Sequence, residues 1–136
     1  MSKIKFQRGF TLIELLVVAA LIIVLTAISF VSFQSTSQKS RNGKRQADIS
    51  QIRSALELYR TANQKYPIYS DANGELNFVN LMNDTTFTPL LSTPNLIDPT
   101  NVAPYQYTYQ SAANGFTYSV CYTTEPTAVQ TCLTNP

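Results

Sequence analysis

The chain has 136 residues, enough for one modest domain, and its ten Lys and Arg against eight Asp and Glu give a formal net charge of +2. It contains two cysteines and no histidine, so a Cys/His zinc site is not expected. Nucleic-acid binding is possible but not indicated by so small a net charge, and we expect no metal and no cofactor.

Charge is distributed unevenly along the chain. Three basic residues precede an apolar run, and residues 34–65 then carry seven basic residues against Asp48 and Glu57. From Tyr66 onward there are five acidic residues and no Lys or Arg. This asymmetry suits packing of the basic segment of one copy against the acidic segment of another. Two separately solvated surfaces of opposite sign would give the same pattern, so both interpretations stay open.

The apolar run extends from Phe10 to Phe33, and Glu14 is its only charged residue. As a helix it would be about 36 Å long at ~1.5 Å per residue, enough to span a bilayer. A secretory signal peptide, cut near Ala27 to Ser29, and an ordinary single-pass anchor are the alternatives. Neither explains Glu14, because an unpaired carboxylate is costly in an apolar environment.

Residues 3–25, KIKFQRGFTLIELLVVAALIIVL, resemble the N-terminal signature of type IV pilins and the related pseudopilins. The shared features are a short basic leader, a glycine, and Phe-Thr-Leu-Ile-Glu opening a long apolar helix. The resemblance implies that a prepilin peptidase cuts after Gly9 and that Phe10 becomes an N-methylated N-terminus. It also implies that Glu14 pairs with the terminal amine of a neighbouring subunit. Such a pair makes two otherwise costly charges tolerable and sets the register between copies.

The rest of the chain divides into three segments after the leader (1–9) and the apolar helix (10–33). Apolar residues recur at three- and four-residue steps through a stem helix, residues 34–66, with a possible bend at Asn42-Gly43 and an end at Tyr66-Pro67. Residues 67–104 are rich in turn formers and include one short helix at 76–83. Because neither Gly nor Pro interrupts the apolar run, we expect a continuous N-terminal helix.

Alternating residues predict three strands in residues 105–136, namely Tyr105 to Tyr109, Phe116 to Tyr122 and 128–133. The predicted fold class is α+β, the pilin fold, with the long helix packed on a three-stranded antiparallel sheet. If this part lies outside the cytoplasm, Cys121 and Cys132 are candidates for a disulfide.

We find no catalytic motif and expect a structural protein rather than an enzyme. The favoured function is a major type IV pilin, held in the cytoplasmic membrane as a precursor and then assembled into an extracellular homopolymeric pilus. Its expected partners are itself, the prepilin peptidase and the inner-membrane assembly platform. The alternatives are a pseudopilin of a type II secretion or DNA-uptake machine, with a periplasmic fibre, and a monomeric membrane-anchored binding module.

Overall fold

The computed structural model describes residues 9–69 and 71–135 and divides the chain into two units, residues 1–37 and 38–136. Most of the expected leader, residues 1–8, lies outside the described residues. One helix, α1 (Leu12–Asn63), begins in the first unit and ends in the second. The second unit, here called the head, adds a shorter helix, α2 (Gly74–Asn83), a 3₁₀ turn and three strands.

In the first unit the described large apolar side chains of α1 are 49–82 % exposed. The helix is long and apolar enough to cross a membrane by length and composition. Two of its hydroxyl groups bond within the helix: Thr26 Oγ1 donates to the carbonyls of Ile22 and Ile23 at 2.9 Å, and Ser29 Oγ donates to that of Leu25 at 2.8 Å. The hydroxyl donors of Thr26 and Ser29 are therefore satisfied within the helix.

Helix α1 is continuous through Asn42 and Gly43, so these residues do not interrupt it. The expected end at Tyr66-Pro67 is wrong by three residues, because α1 ends at Asn63. Gln64 adopts a left-handed φ of 62°, and its N–H donates to the Arg60 carbonyl at 2.7 Å. This arrangement stops a helix without proline. The freed Tyr66 N–H then bonds to the carbonyl of Gly115 at 2.8 Å.

Helix α2 begins two residues before the predicted 76–83 segment. Asn73 caps it, since its side-chain oxygen accepts a hydrogen bond from the Glu75 N–H at 2.9 Å. The 3₁₀ turn, Thr88–Leu90, follows it. The expected connection between helix and sheet is therefore partly helical.

The sheet is a three-stranded antiparallel meander in the order β1 (Thr108–Ser111), β2 (Tyr118–Thr124), β3 (Val129–Thr134). This confirms the predicted α+β fold with a long helix packed on three strands. All three strands begin later than predicted, and β1 begins three residues after Tyr105, because residues 102–105 form a separate bridged turn. Phe116 precedes β2 and is 52 % exposed, so it is not part of the inward face.

The core of the head lies between α1, α2 and the sheet. Its members are apolar and aromatic side chains from α1, α2, β1, β2 and the connections between them, among them Ile49, Ile52, Leu56, Leu81, Phe87, Tyr109, Tyr118 and Val120, each no more than 3 % exposed. The predicted stripe on α1 is largely correct, although Ala47 and Ala62 face solvent. Burying this stripe holds the C-terminal part of α1 against the sheet.

Candidate functional site

The start of α1 is a capping box made by Thr11 and Glu14. The Thr11 N–H donates to Glu14 Oε2 at 2.9 Å, the Thr11 hydroxyl donates to the same oxygen at 2.8 Å, and the Glu14 N–H donates to the hydroxyl at 3.4 Å. Thr11 thus occupies the N-cap and Glu14 the third helical position, the spacing of this motif. Gly9 and Phe10 precede the helix and are exposed.

Glu14 therefore has a partner within its own chain, which the sequence interpretation overlooked. The signal was present, because Thr followed three residues later by Glu before an apolar run indicates a helix start. Both bonds go to Oε2, and no described residue bonds to Oε1, which can therefore accept a second partner. Cleavage after Gly9 would leave Thr11 as the second residue, so the capping box is compatible with that processing. Pairing of Glu14 with a neighbour's amine stays a prediction.

In the head, a buried ion-pair network is centred on Arg45, which is fully buried. Its Nε lies 2.6 Å from Asp98 Oδ2, and its terminal NH2 group lies 3.0 Å from Asp98 Oδ1 and 2.8 Å from Glu125 Oε1. The guanidinium also lies over the ring of Tyr105, with its central carbon 5.1 Å from the ring centroid. A buried arginine of this kind needs such partners, because an unpaired buried charge is strongly destabilising.

The turn of α1 before Arg45 extends the network. Arg41 forms a bidentate pair with Glu125, one of its contacts being the 2.9 Å bond from Nε to Oε1. The Asn42 side chain donates to the Glu125 carbonyl at 2.8 Å and accepts from the Glu125 N–H at 3.0 Å. Glu125 lies between β2 and β3, and Asp98 lies in the connection before β1. The network therefore joins α1 to two other segments of the head.

These contacts change the interpretation of the charge asymmetry. Arg41 and Arg45 satisfy two of the five acidic residues after Tyr66 inside one chain. These four side chains are consequently not available for packing between copies. The sequence correctly indicated that the two segments carry opposite charges, but part of the pairing between them occurs within one chain.

The network shifts the pKa values of its members. Hydrogen bonding from Arg41 lowers the pKa of Glu125 to about 2; burial opposes this effect and Arg45 adds to it. Burial alone would raise the pKa of Asp98, but hydrogen bonds from Arg45 and from the N–H groups of Thr100 and Asn101 outweigh it, so the net pKa is lowered. Both carboxylates are thus charged at neutral pH.

Two further features stabilise the head. A disulfide joins Cys121 to Cys132, which are directly paired positions of β2 and β3. The hydroxyl of Tyr107 donates to Asp48 Oδ2 at 2.9 Å within the core, and burial together with this carboxylate raises the pKa of Tyr107. The disulfide ties β2 to β3 covalently, and the Tyr107 hydroxyl provides a hydrogen-bond donor for Asp48, a buried acid of α1.

Two models of known protein families match this chain and together cover most of it. Residues 4–30 match the model of the prokaryotic N-terminal methylation motif, a range that includes Gly9, Phe10 and Glu14. Residues 32–125, more than half of the chain, match the model of type II secretion system protein G. The chain belongs to the type II secretion system protein G family. The membership confirms the pilin and pseudopilin family recognised from the N-terminal residues.

Individual relatives are similar over part of the chain. The type II secretion system core protein G of Pectobacterium carotovorum is 36 % identical over 61 residues, which are 45 % of this chain and 39 % of the relative. That of Dickeya chrysanthemi is 33 % identical over 70 residues, 52 % of this chain and 46 % of the relative. The type IV major fimbrial protein FimA of Dichelobacter nodosus is 39 % identical over 51 residues, 38 % of this chain and 33 % of the relative. The matched segments span less than half the length of these relatives, and no solved structure matches.

Proposed function

We propose that this protein is a pseudopilin, a non-catalytic subunit that assembles through α1 into a short fibre of a type II secretion machine. The precursor is anchored by α1 in the cytoplasmic membrane. A prepilin peptidase removes residues 1–9, the new N-terminus at Phe10 is methylated, and copies then associate along their apolar helices. The observation that carries this proposal is the family match over residues 32–125 behind an exposed apolar helix.

The exposed side chains of α1 support assembly. An apolar helix surface in water is unfavourable, but it is stable in lipid before assembly and against other helices afterwards. Glu14 fits the same scheme, because its free Oε1 can accept a bond from a neighbour's terminal amine while Oε2 keeps the capping box. Removal of either charge would leave the other unpaired between apolar helices.

The names of the relatives favour a pseudopilin over the major pilin that the sequence alone favoured. Several are core proteins of type II secretion systems, whereas one is a major fimbrial subunit. The two functions share their assembly chemistry and differ in the fibre. A pseudopilus serves export and stays within the envelope, whereas a pilus extends from the cell surface.

Deletion of the gene, with complementation by the intact chain, separates these functions. A pseudopilin predicts that secreted proteins accumulate inside the cell envelope while long surface filaments, imaged by electron microscopy, are unchanged. Loss of long filaments with normal secretion would instead identify a major pilin.

Processing is tested on the mature protein by mass spectrometry of its N-terminal peptide. We expect a peptide that begins at methylated Phe10. A peptide that begins near Phe30, or an uncut chain, would refute the assembly chemistry and favour a monomeric anchored module.

A further inference from the structure

A cleft of about 330 Å³ lies in the head between α2 and the segment 95–107. Its floor is apolar and consists of Phe78, Met82, Leu96 and Tyr107, each no more than 9 % exposed. Val79 and Ile97 stand at its rim and are more than half exposed. The cleft thus offers a solvent-accessible apolar wall on the surface of the head.

One carboxylate of the cleft is available to a ligand. Asp98 is already engaged by Arg45, whereas Glu75 takes part in no ion pair among the described residues. In the amide orientation that satisfies both groups, Gln106 Nε2 lies 3.0 and 2.9 Å from the two Glu75 carboxylate oxygens. Two donor contacts hold the carboxylate in place and leave its negative charge uncompensated.

Among the described basic residues, Lys39, Lys44, Arg53, Arg60 and Lys65 form no ion pair, and all of these except Lys65 lie on α1. Lys39 and Lys44 are exposed and form neither a hydrogen bond nor an ion pair with any described residue. A lysine combines a flexible apolar stem of four carbons with a terminal ammonium. Such a side chain matches an apolar wall that has a single carboxylate.

We propose that the cleft of one subunit receives Lys39 or Lys44 from the α1 helix of the next subunit. This inference rests on the fibre assembly proposed above and specifies one of its contacts. The stem of the lysine lies along Phe78 and Val79, and its ammonium pairs with Glu75. A contact between two different surfaces of the same protein can repeat from copy to copy without closing, which is the geometry that a fibre requires.

The test measures the assembled fraction of the full-length protein in cells, by sedimentation of sheared fibres. Glu75→Lys should lower that fraction at least about fivefold, because like charges then face each other across the contact. Adding Lys44→Glu or Lys39→Glu to that variant should restore assembly. Asp71→Lys, an exposed acidic position outside the cleft, is the matched control and should assemble normally. Lys65→Glu, outside α1, should not restore Glu75→Lys.

Glu75→Gln provides a variant that keeps the size of the side chain and removes its charge, and it should reduce assembly less than Glu75→Lys. Normal assembly of Glu75→Lys would overturn the inference, as would rescue by neither α1 lysine. If the natural ligand of the cleft were a free small amine rather than a neighbouring subunit, Glu75→Lys would assemble normally. Failure of the unaltered protein to assemble would instead refute the proposed function, so the two failures are distinguishable.

Discussion

The change Asp98→Asn tests whether the buried ion-pair network holds α1 on the head. It removes the charge that lies 2.6 Å from Arg45 Nε and leaves a fully buried guanidinium with a single acidic neighbour, Glu125, 2.8 Å away. Breaking a buried pair costs about 3–5 kcal/mol. Because Glu125 remains, we expect a loss near the lower limit, about 3 kcal/mol in the free energy of unfolding.

The assay is urea unfolding of the mature chain in detergent, followed by tyrosine fluorescence. All eight tyrosines lie at or after Tyr59 and the chain has no tryptophan, so the signal reports the head and not the apolar helix. With a slope of about 1–3 kcal/mol per molar urea, the expected loss lowers the midpoint by roughly 1–3 M. For a folded unit of about a hundred residues, the melting temperature would fall by roughly 12–24 °C.

Asp71→Asn is the control, because it removes an exposed acid of the same head and should change stability by no more than about 0.5 kcal/mol. The double variant Arg45→Met with Asp98→Leu removes both charges of the pair and should recover most of the loss. If Asp98→Asn is as stable as Asp71→Asn, the network does not hold the helix on the head.

Three further outcomes are expected. Because its pKa is lowered, Glu125 contributes fully to the stability of the head above pH 4.5, and this contribution is progressively lost as the pH falls towards 2. Urea midpoints should therefore decline over that range, and they should decline less in Glu125→Gln. Glu14→Gln keeps a capping side chain without its charge, and its fibre yield should fall as far as that of Glu14→Ala. A normal fibre yield for Glu14→Gln would mean that Glu14 only caps α1. Gly115→Ala should lose about 1–2 kcal/mol by thermal denaturation, since Gly115 has φ 70° and a Cβ there would lie 3.0 Å from Ile68 Cδ1; an unchanged melting temperature would contradict this.

Local patterns in the sequence predicted most of the fold. The apolar run, the helical periodicity and the alternation of residues in the last third of the chain are signals between near neighbours, and they located α1 and, to within three residues, the starts of all three strands. The exact end of α1 was missed because Gln64 adopts a left-handed φ that its residue type does not signal. The Tyr66 N–H, which is then free of the helix, bonds to the carbonyl of Gly115, almost fifty residues later.

The ion-pair network had no local signal. Arg45 and Asp98 are 53 residues apart, and Arg41 and Glu125 are 84 apart. Charge counting indicated that the two segments attract, but it did not distinguish attraction within a chain from attraction between copies. Only the fold brings these four side chains together, whereas the capping box at Thr11 was readable from spacing alone.

The internal bonds of Thr26 and Ser29 bear on how a subunit could leave the membrane. A hydroxyl that relies on water or on a neighbouring helix must exchange partners when its surroundings change. The acceptors of these two hydroxyls are backbone carbonyls one turn earlier on the same helix, so they move together with the side chains. Transfer of α1 from lipid into a bundle of identical helices would therefore leave the hydrogen bonds of both side chains intact, so that neither side chain opposes extraction.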